Sequence, residues 1–310
     1  MLNFLIRRLA MLVGTMLAVS LLTFLLLEVN GDAVVVKVIG PYSTQEQREI
    51  WLEANGYNEP AAMRYVAWLW DVMRGDFGES IRYRAHVADV LWPRLANTAI
   101  LAAVVFAIMI PLSITAGVIA GMNEGGVTDR IISTVSILTT SVPEFASAVF
   151  LAFLFVLTLG WFPATSTMSE GFDPMQLVMP AMVLVLFGFG YVARMMRASM
   201  SEVMHSNYIR TAMLRGLPFR RVITHHALRN ALIAPFTVII LQINWLLSGV
   251  IVVEFFFAYR GFGALLLEAS LTQDIRLLQA CAMVSVVVAV STQTIADIGY
   301  GFLNPRVRFT

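Results

Sequence analysis

Six long stretches of this chain carry almost no charge, and that alone limits what it can become. Leu9 to Val29 contains only Glu28, near its far end. Thr98 to Gly121 is uncharged, and Ile131 to Trp161 has only Glu144. Leu177 to Ala193, Ala231 to Val253 and Leu277 to Ala296 are also uncharged. Each run is long enough for a helix across a hydrocarbon layer, where every backbone polar group must be bonded internally. The runs are continuous rather than alternating, which argues against a membrane β-barrel. Composition agrees: 58% of residues are hydrophobic and 13% charged, about half the charged fraction of an ordinary soluble domain. Bases and acids balance, 21 against 20, so there is no basic surface for nucleic acid and no signature of disorder. The first run is too long for the core of a signal peptide and no small-residue cleavage site follows it, so it reads as a retained helix. The expected fold is all-α and integral to a membrane, with six transmembrane helices.

Arginine placement predicts the orientation. Arg7 and Arg8 precede the first span, Arg306 and Arg308 follow the last, and the connection between spans four and five holds seven arginines from Arg194 to Arg229 against Glu202. The connection from Phe162 to Gln176 has no Lys or Arg. The positive-inside rule then places both termini and the 194–230 loop in the cytoplasm, with Arg260 and Arg276 as exceptions. Residues 1–29 read as a cytoplasmic stub plus the first helix, 30–97 as a small external subdomain, and 98–310 as a five-helix core. In the external part, Thr44 and Gln47 have capping-box spacing. Residues 61–73 place Tyr65, Trp68, Leu69 and Val72 at helical spacing.

Catalytic and nucleotide-binding motifs are missing. The chain has no G-x-x-x-x-G-K-[ST], no H-E-x-x-H and no G-x-S-x-G, so nothing cradles a triphosphate or presents a metal or serine hydrolase centre. Cys281 is the single cysteine, which excludes an intrachain disulfide and a multi-cysteine metal site. Gly117 and Gly121 form a G-x-x-x-G in the second span, expected to let two helices approach closely.

The 194–230 loop is the most informative stretch. Asn207 is a possible N-cap, Tyr208-Ile-Arg-Thr-Ala-Met-Leu-Arg follows, and Gly216-Leu-Pro218 stops it. The result is a helix of about nine residues, roughly 13 Å long. Ile209, Ala212, Met213 and Gly216 fall on one face, with Arg210, Thr211 and Arg215 elsewhere. Pro218 fits the first turn of a second helix. A helix this short needs a surface to dock on. Anionic lipid heads are one such surface; a cytoplasmic partner is the other.

Several motifs, in order, resemble one family. Phe4-Leu-Ile-Arg-Arg-Leu opens the chain, Gly75-Asp-Phe-Gly-Glu-Ser80 lies in the external segment, and Arg194-Met-Met-Arg-Ala-Ser-Met leads into the loop. Asn207 to Leu217, His226-Ala-Leu-Arg-Asn-Ala, Pro235, Gly261-Phe-Gly, Asp297-Ile-Gly-Tyr and Pro305-Arg-Val-Arg complete the set. Together they resemble permease subunits of ABC importers, within the dipeptide/oligopeptide/nickel branch, over nearly the whole chain. The general family signature has Glu-Ala-Ala where this chain has Arg210-Thr-Ala, a usual substitution in that branch. Asn304-Pro-Arg stands where Asp-Pro-Arg is usual.

The resemblance implies a non-catalytic subunit that forms half of a pathway for a peptide or related solute. Its implied partners are a second homologous permease, two cytoplasmic ABC ATPases, an external solute-binding protein and membrane lipid, without nucleic acid. ATP and Mg would sit on the ATPases and no cofactor on this chain. Tyr208, Ile209, Arg210, Thr211, Ala212, Met213, Arg215, Gly216 and Leu217 would form the coupling helix that receives ATPase motion. The membrane implied is the bacterial inner membrane. A stand-alone secondary transporter or channel is the alternative, although such proteins show repeated halves and broken helices and no repeat is visible.

For the pathway, Pro143 is expected to kink span three. Glu144 would then lie roughly 20 Å from the cytoplasmic end of that span at 1.5 Å per residue. An acid so placed faces a cavity or a partner; a gate and an interface ion pair are both open. Gln242 and Asn244 are polar and deep in span five, where hydrogen bonds between helices are the expected role.

Overall fold

The computed structural model describes the backbone of residues 2–28, 31–169 and 171–303. Within that range the side chains of residues 2–5, 32, 33, 37, 244, 247–249, 296, 297 and 300–303 are not described. Asn244 as a pathway side chain, and the tail motif from Asn304 onward, therefore lie outside the described residues. The chain begins with α1 (Leu2–Leu27), α2 (Gly31–Ile39), α3 (Gln45–Ala54) and α4 (Ala61–Met73), then a two-residue hairpin, β1 (Glu79–Ser80) and β2 (Ala85–His86). There follow α5 (Val87–Met122), α6 (Val127–Ser141) and α7 (Glu144–Leu151), the last continuing as a π-helical turn over Ala152–Thr158. Next come α8 (Pro174–Met204), α9 (Asn207–Leu214) and α10 (Phe219–Arg221), a second π-helical turn over Val222–Ala227, and α11 (Leu228–Ala231). The described chain closes with α12 (Ile233–Gly249), α13 (Ile251–Phe256), α14 (Phe262–Thr272) and α15 (Ile275–Leu303).

Four helices are long and apolar enough to span a membrane unaided: Ile6–Leu27, Val87–Met122, Pro174–Met204 and Ile275–Ile295. Two bent pairs bring the total to six: Val127–Ser141 with Glu144–Thr158, bent by 102°, and Phe219–Ala231 with Ile233–Ile243, bent by 52°. The all-α membrane fold is as the sequence predicts, with two differences. The second span begins at Val87, inside the segment read as external. Asp89 and Arg94 interrupt the apolar run there, but Val87 and Leu91 are fully buried in the same helix. Asp89 lies on the opposite face, and Arg94 Nη2 donates to Tyr83 Oη at 3.0 Å. The third span is broken rather than kinked. Val142, which precedes Pro143, adopts extended backbone (φ −91°, ψ 124°), because the proline ring disfavours a helical residue before it.

The chain divides into two compact units, Met1–Asn97 with Gly261–Ser291, and Thr98–Arg260 with Thr292–Thr310. The expected 98–310 core is thus interrupted by α14 and the first half of α15, which cluster with the N-terminal segment. In that first unit Val87, Leu91, Phe262, Leu265, Leu277 and Cys281 share one core. Glu28, only 3% exposed, accepts from Arg276 Nη1 at 2.9 Å and from Gln279 Nε2 at 3.3 Å. Arg276, an exception to the arginine bias, is there to neutralise a buried carboxylate. The capping box at Thr44 and Gln47 forms on α3.

The Gly75–Ser80 motif is a clamp. Gly75 and Gly78 both have positive φ. Asp76 Oδ1 accepts from Gly78 N at 2.8 Å, and Ser80 Oγ donates to Asp274 Oδ2 at 2.6 Å. Asp274 also accepts from the backbone of Leu277 in the first turn of α15.

The second unit is organised around α8, which packs against α6, α7 and α12. A Cβ on Gly117 would lie 2.7 Å from the Ala193 carbonyl oxygen, and one on Gly121 2.7 Å from that of Arg197. The G-x-x-x-G is therefore the seat of α8 on α5. Gly117→Leu and Gly121→Leu are expected to destabilise the folded chain by about 1–3 kcal/mol or more, as overpacking does. Each would lower the amount of chain recovered from membranes in monodisperse form. Wild-type recovery of both variants would show that the two helices separate readily.

Candidate coupling surface and pathway residues

The short helix of the 194–230 loop exists, and its own chain supplies the docking surface it needs. Ile209 is fully buried and Ala212 nearly so, in a cluster with Met196 and Met200 of α8 and Val222, Ile223 and Ala227 of the following π turn. Of the face expected from Ile209, Ala212, Met213 and Gly216, the first two are thus covered by the chain itself, while Met213 and Gly216 are exposed. Asn207 is the first helical residue and not the cap. Ser206 occupies the cap position without a side-chain capping bond, because its hydroxyl donates to the Val203 carbonyl at 2.5 Å. Pro218 likewise sits at the cap of α10 rather than within its first turn.

The stop at Gly216 is as expected. Its φ is +75°, a left-handed conformation that favours glycine. Gly216 N donates to Met213 O at 3.0 Å and Leu217 N to Ala212 O at 3.4 Å, the paired bonds that close a helix on an αL residue. Leu217 turns back onto the cluster under the helix. With Ile209 and Ala212 turned inward, Tyr208, Arg210, Thr211, Met213, Leu214, Arg215 and Gly216 face outward. Leu214, 82% exposed, is not among the residues the sequence points to. Its helical position, two residues after Ala212, is the signal that could have found it once the buried face was known.

A second feature invisible to sequence reasoning lies where α8 approaches this helix. Arg197 grips Asp129 of α6 with both arms of its guanidinium, Nε to Oδ1 at 2.9 Å and Nη2 to Oδ2 at 2.8 Å. Asp129 is 4% exposed and also accepts from Gly125 N at 2.9 Å and Ser133 Oγ at 3.1 Å. Beside it, Ser201 Oγ donates to Glu124 Oε2 at 2.5 Å, and His205 Nδ1 stands 3.8 Å from the same oxygen. Residues 124–133 are thereby tied to the last three turns of α8, directly before α9. Bidentate charge-assisted bonding fixes orientation as well as distance.

The pathway residues are not brought together by any hydrogen bond or ion pair among the described residues. Pro143 caps α7, and Glu144 is its first residue, half-buried. The 102° bend directly before it invalidates a depth counted along a straight helix. Gln242 is buried on α12, and a Cβ on Gly188 of α8 would lie 3.2 Å from its Nε2. Among the described residues that nitrogen has no hydrogen-bond partner, so the expected bond between helices is not made by it. Glu254, one residue beyond the fifth uncharged run, is fully buried and accepts from Thr98 Oγ1 at 2.5 Å.

Residues 113–309 match the family described as binding-protein-dependent transport system inner membrane component. The chain belongs to this family. It is a permease subunit of an ABC importer. That overturns the alternative of a stand-alone secondary transporter or channel, and it makes the permease a non-catalytic component of a larger machine. Over 308 residues, 98% of each chain, the permease is 34% identical to a Brucella abortus (strain 2308) protein named as a peptide transport system permease. It is 30% identical to the oligopeptide transport system permease protein AppB of Bacillus subtilis (strain 168), over 99% of both chains. To the di/tripeptide transport system permease protein DppB of Pseudomonas aeruginosa (strain UCBPP-PA14) it is 32% identical, again over 99% of both chains.

Proposed function

We propose that the permease lines one half of a pathway that imports peptides across a bacterial inner membrane, and that α9 receives the motion of a cytoplasmic ATPase. A second homologous permease completes the pathway, two ATPases hold ATP and Mg, and an external binding protein delivers the solute. Full-length similarity to relatives named for peptide transport supports the solute class. The observation that carries the coupling role is the division of α9 into two faces. Ile209 and Ala212 root it in its own chain, while Leu214 and Met213 stand exposed among Arg210 and Arg215. A lever needs both, since a helix not rooted in the permease could not pass motion on. In allosteric terms, inward- and outward-open pathways are the two states, and nucleotide and loaded binding protein bias them.

Pro143, Glu144 and Gln242 remain the proposed pathway residues. Gln242 is buried with a donor that has no partner among the described residues, and Glu144 stands where a span breaks. Leu214→Cys should cross-link to a co-purifying ATPase subunit while Ile209→Cys does not. Cross-linking of Leu214→Cys to no protein, in a complex that transports, would refute the coupling role.

The proposed orientation puts both termini and α9 in the cytoplasm and α2 to α4 on the external side of the membrane. Ser43→Cys should react with an impermeant thiol reagent added to intact cells, and Ser206→Cys only after lysis. The reverse pattern would invert the topology.

A further inference from the structure

Helix α4 carries two faces of opposite use. One packs on the C-terminal end of α1: Ser20 Oγ and Tyr65 Oη lie 2.8 Å apart, and the Phe24 ring meets Tyr65 edge-on at 5.3 Å and lies 6.2 Å from that of Trp68. Arg64, Trp68 and Asp71 line a polar cavity of about 730 Å³ together with Glu28, Tyr57 and Arg276. On the other side Met63, Val66, Trp70 and Met73 are all more than half exposed, with Ala67 between them. Within Ala61–Met73 no charge interrupts that arc, and Arg74, the cap residue, closes its C-terminal end. In water it would be a costly surface for a soluble segment to display.

Its depth says what covers it. The apolar span of α1 ends at Leu27, so Phe24 lies about 4.5 Å and Ser20 about 10 Å inside that end at 1.5 Å per residue. A helix held by contacts to both residues lies at the level of the last two turns of a membrane span, not beyond it. Interfacial helices bury their apolar face about 5–10 Å into the boundary between headgroups and acyl chains. Trp70, with the Arg74 guanidinium 4.7 Å over its ring, has the amphipathic pairing expected at that boundary.

We propose that α4 lies in the plane of the membrane, with Met63, Val66, Trp70 and Met73 against the acyl chains of the leaflet at the C-terminal end of α1, and walls the polar cavity off from lipid. Membrane insertion of α1 is all this requires; it holds for either orientation of the chain. Helices α2 and α3 would then be hung from an anchored helix rather than float free.

Spin labels at Val66→Cys, Met73→Cys and Tyr42→Cys test it in the full-length permease, purified with its co-purifying subunits and reconstituted in vesicles of phosphatidylethanolamine and phosphatidylglycerol. Cys281 is buried, and protein without an added cysteine gives its background. Tyr42 is 99% exposed and serves as the aqueous reference. Labels at Val66 and Met73 should collide with oxygen several-fold more, and with a water-soluble nickel chelate several-fold less, than the label at Tyr42. Collision with both reagents at the Tyr42 level would place the face in water and overturn the proposal. Protection from both would show a protein subunit covering it, which also overturns the proposal. Met63→Cys repeats the measurement should either variant fail to assemble.

Discussion

Leu214→Asp should leave the permease inserted and folded, yet transport should fall by about tenfold or more. Leu214 touches little in its own chain, so its loss removes no core. If it docks on an ATPase, the substitution forfeits roughly 1.5–3 kcal/mol of apolar burial and puts a carboxylate into the contact. A loss of 1.4 kcal/mol is tenfold in an equilibrium constant. Gly216→Val should act by another route, since a Cβ there meets nothing within 4 Å in its own chain and within the permease its cost is backbone strain of about 1 kcal/mol or more at positive φ. Arg210→Ala and Arg215→Ala should do less, because exposed charge contacts are individually weak. Ile209→Ala belongs to a different class: it empties a buried site and should lower stability by about 2–5 kcal/mol. Transport and ATPase rates measured on the same purified complexes separate these cases. Normal transport by Leu214→Asp would mean that the exposed face of α9 contacts no moving partner.

Arg197→Ala should be the most damaging single change at the cytoplasmic end of α8 as proposed. It strands Asp129 as a buried carboxylate without its cation, and breaking such a pair costs about 3–5 kcal/mol where burial is complete. Arg197 is partly open to solvent, so the lower end of that range applies. Arg197→Lys should recover only part of the loss, because an ammonium cannot occupy both carboxylate oxygens as the planar fork does. The double variant Asp129→Leu/Arg197→Met should be more stable than Arg197→Ala alone, since removing both charges leaves none unpaired. Thermal unfolding of the purified complex and transport in vesicles report the two consequences. Equal stability of Arg197→Ala and wild type would show that water replaces the arginine at no cost.

The placement of Arg197 shows why arginine counting cannot read mechanism. Seven arginines in one loop look alike in sequence. The 68-residue separation between Arg197 and Asp129 hides the one that grips a buried acid. Arg276 is similar: an exception to the charge rule until Glu28, 248 positions away in the chain, is found 2.9 Å from it. The helix over Ala61–Met73 was legible because its spacing is local. Its second apolar face was equally present in the sequence, but only the contacts of Tyr65 and Trp68 with α1 show which side is spoken for.

Hydrophobic length and turn chemistry are local properties, and they suffice for the existence of the spans, an interruption at Pro143 and the αL stop at Gly216, while the ordered motifs carry the family. Which face of a helix is covered depends on what arrives from elsewhere in the chain. Ile209 and Ala212 carry the same apolar character whether they meet an ATPase or Met196 and Val222. Tertiary packing alone turned them inward and left Leu214 outside, because a helix of eight residues gains too little from its own hydrogen bonds to stand without a buried face.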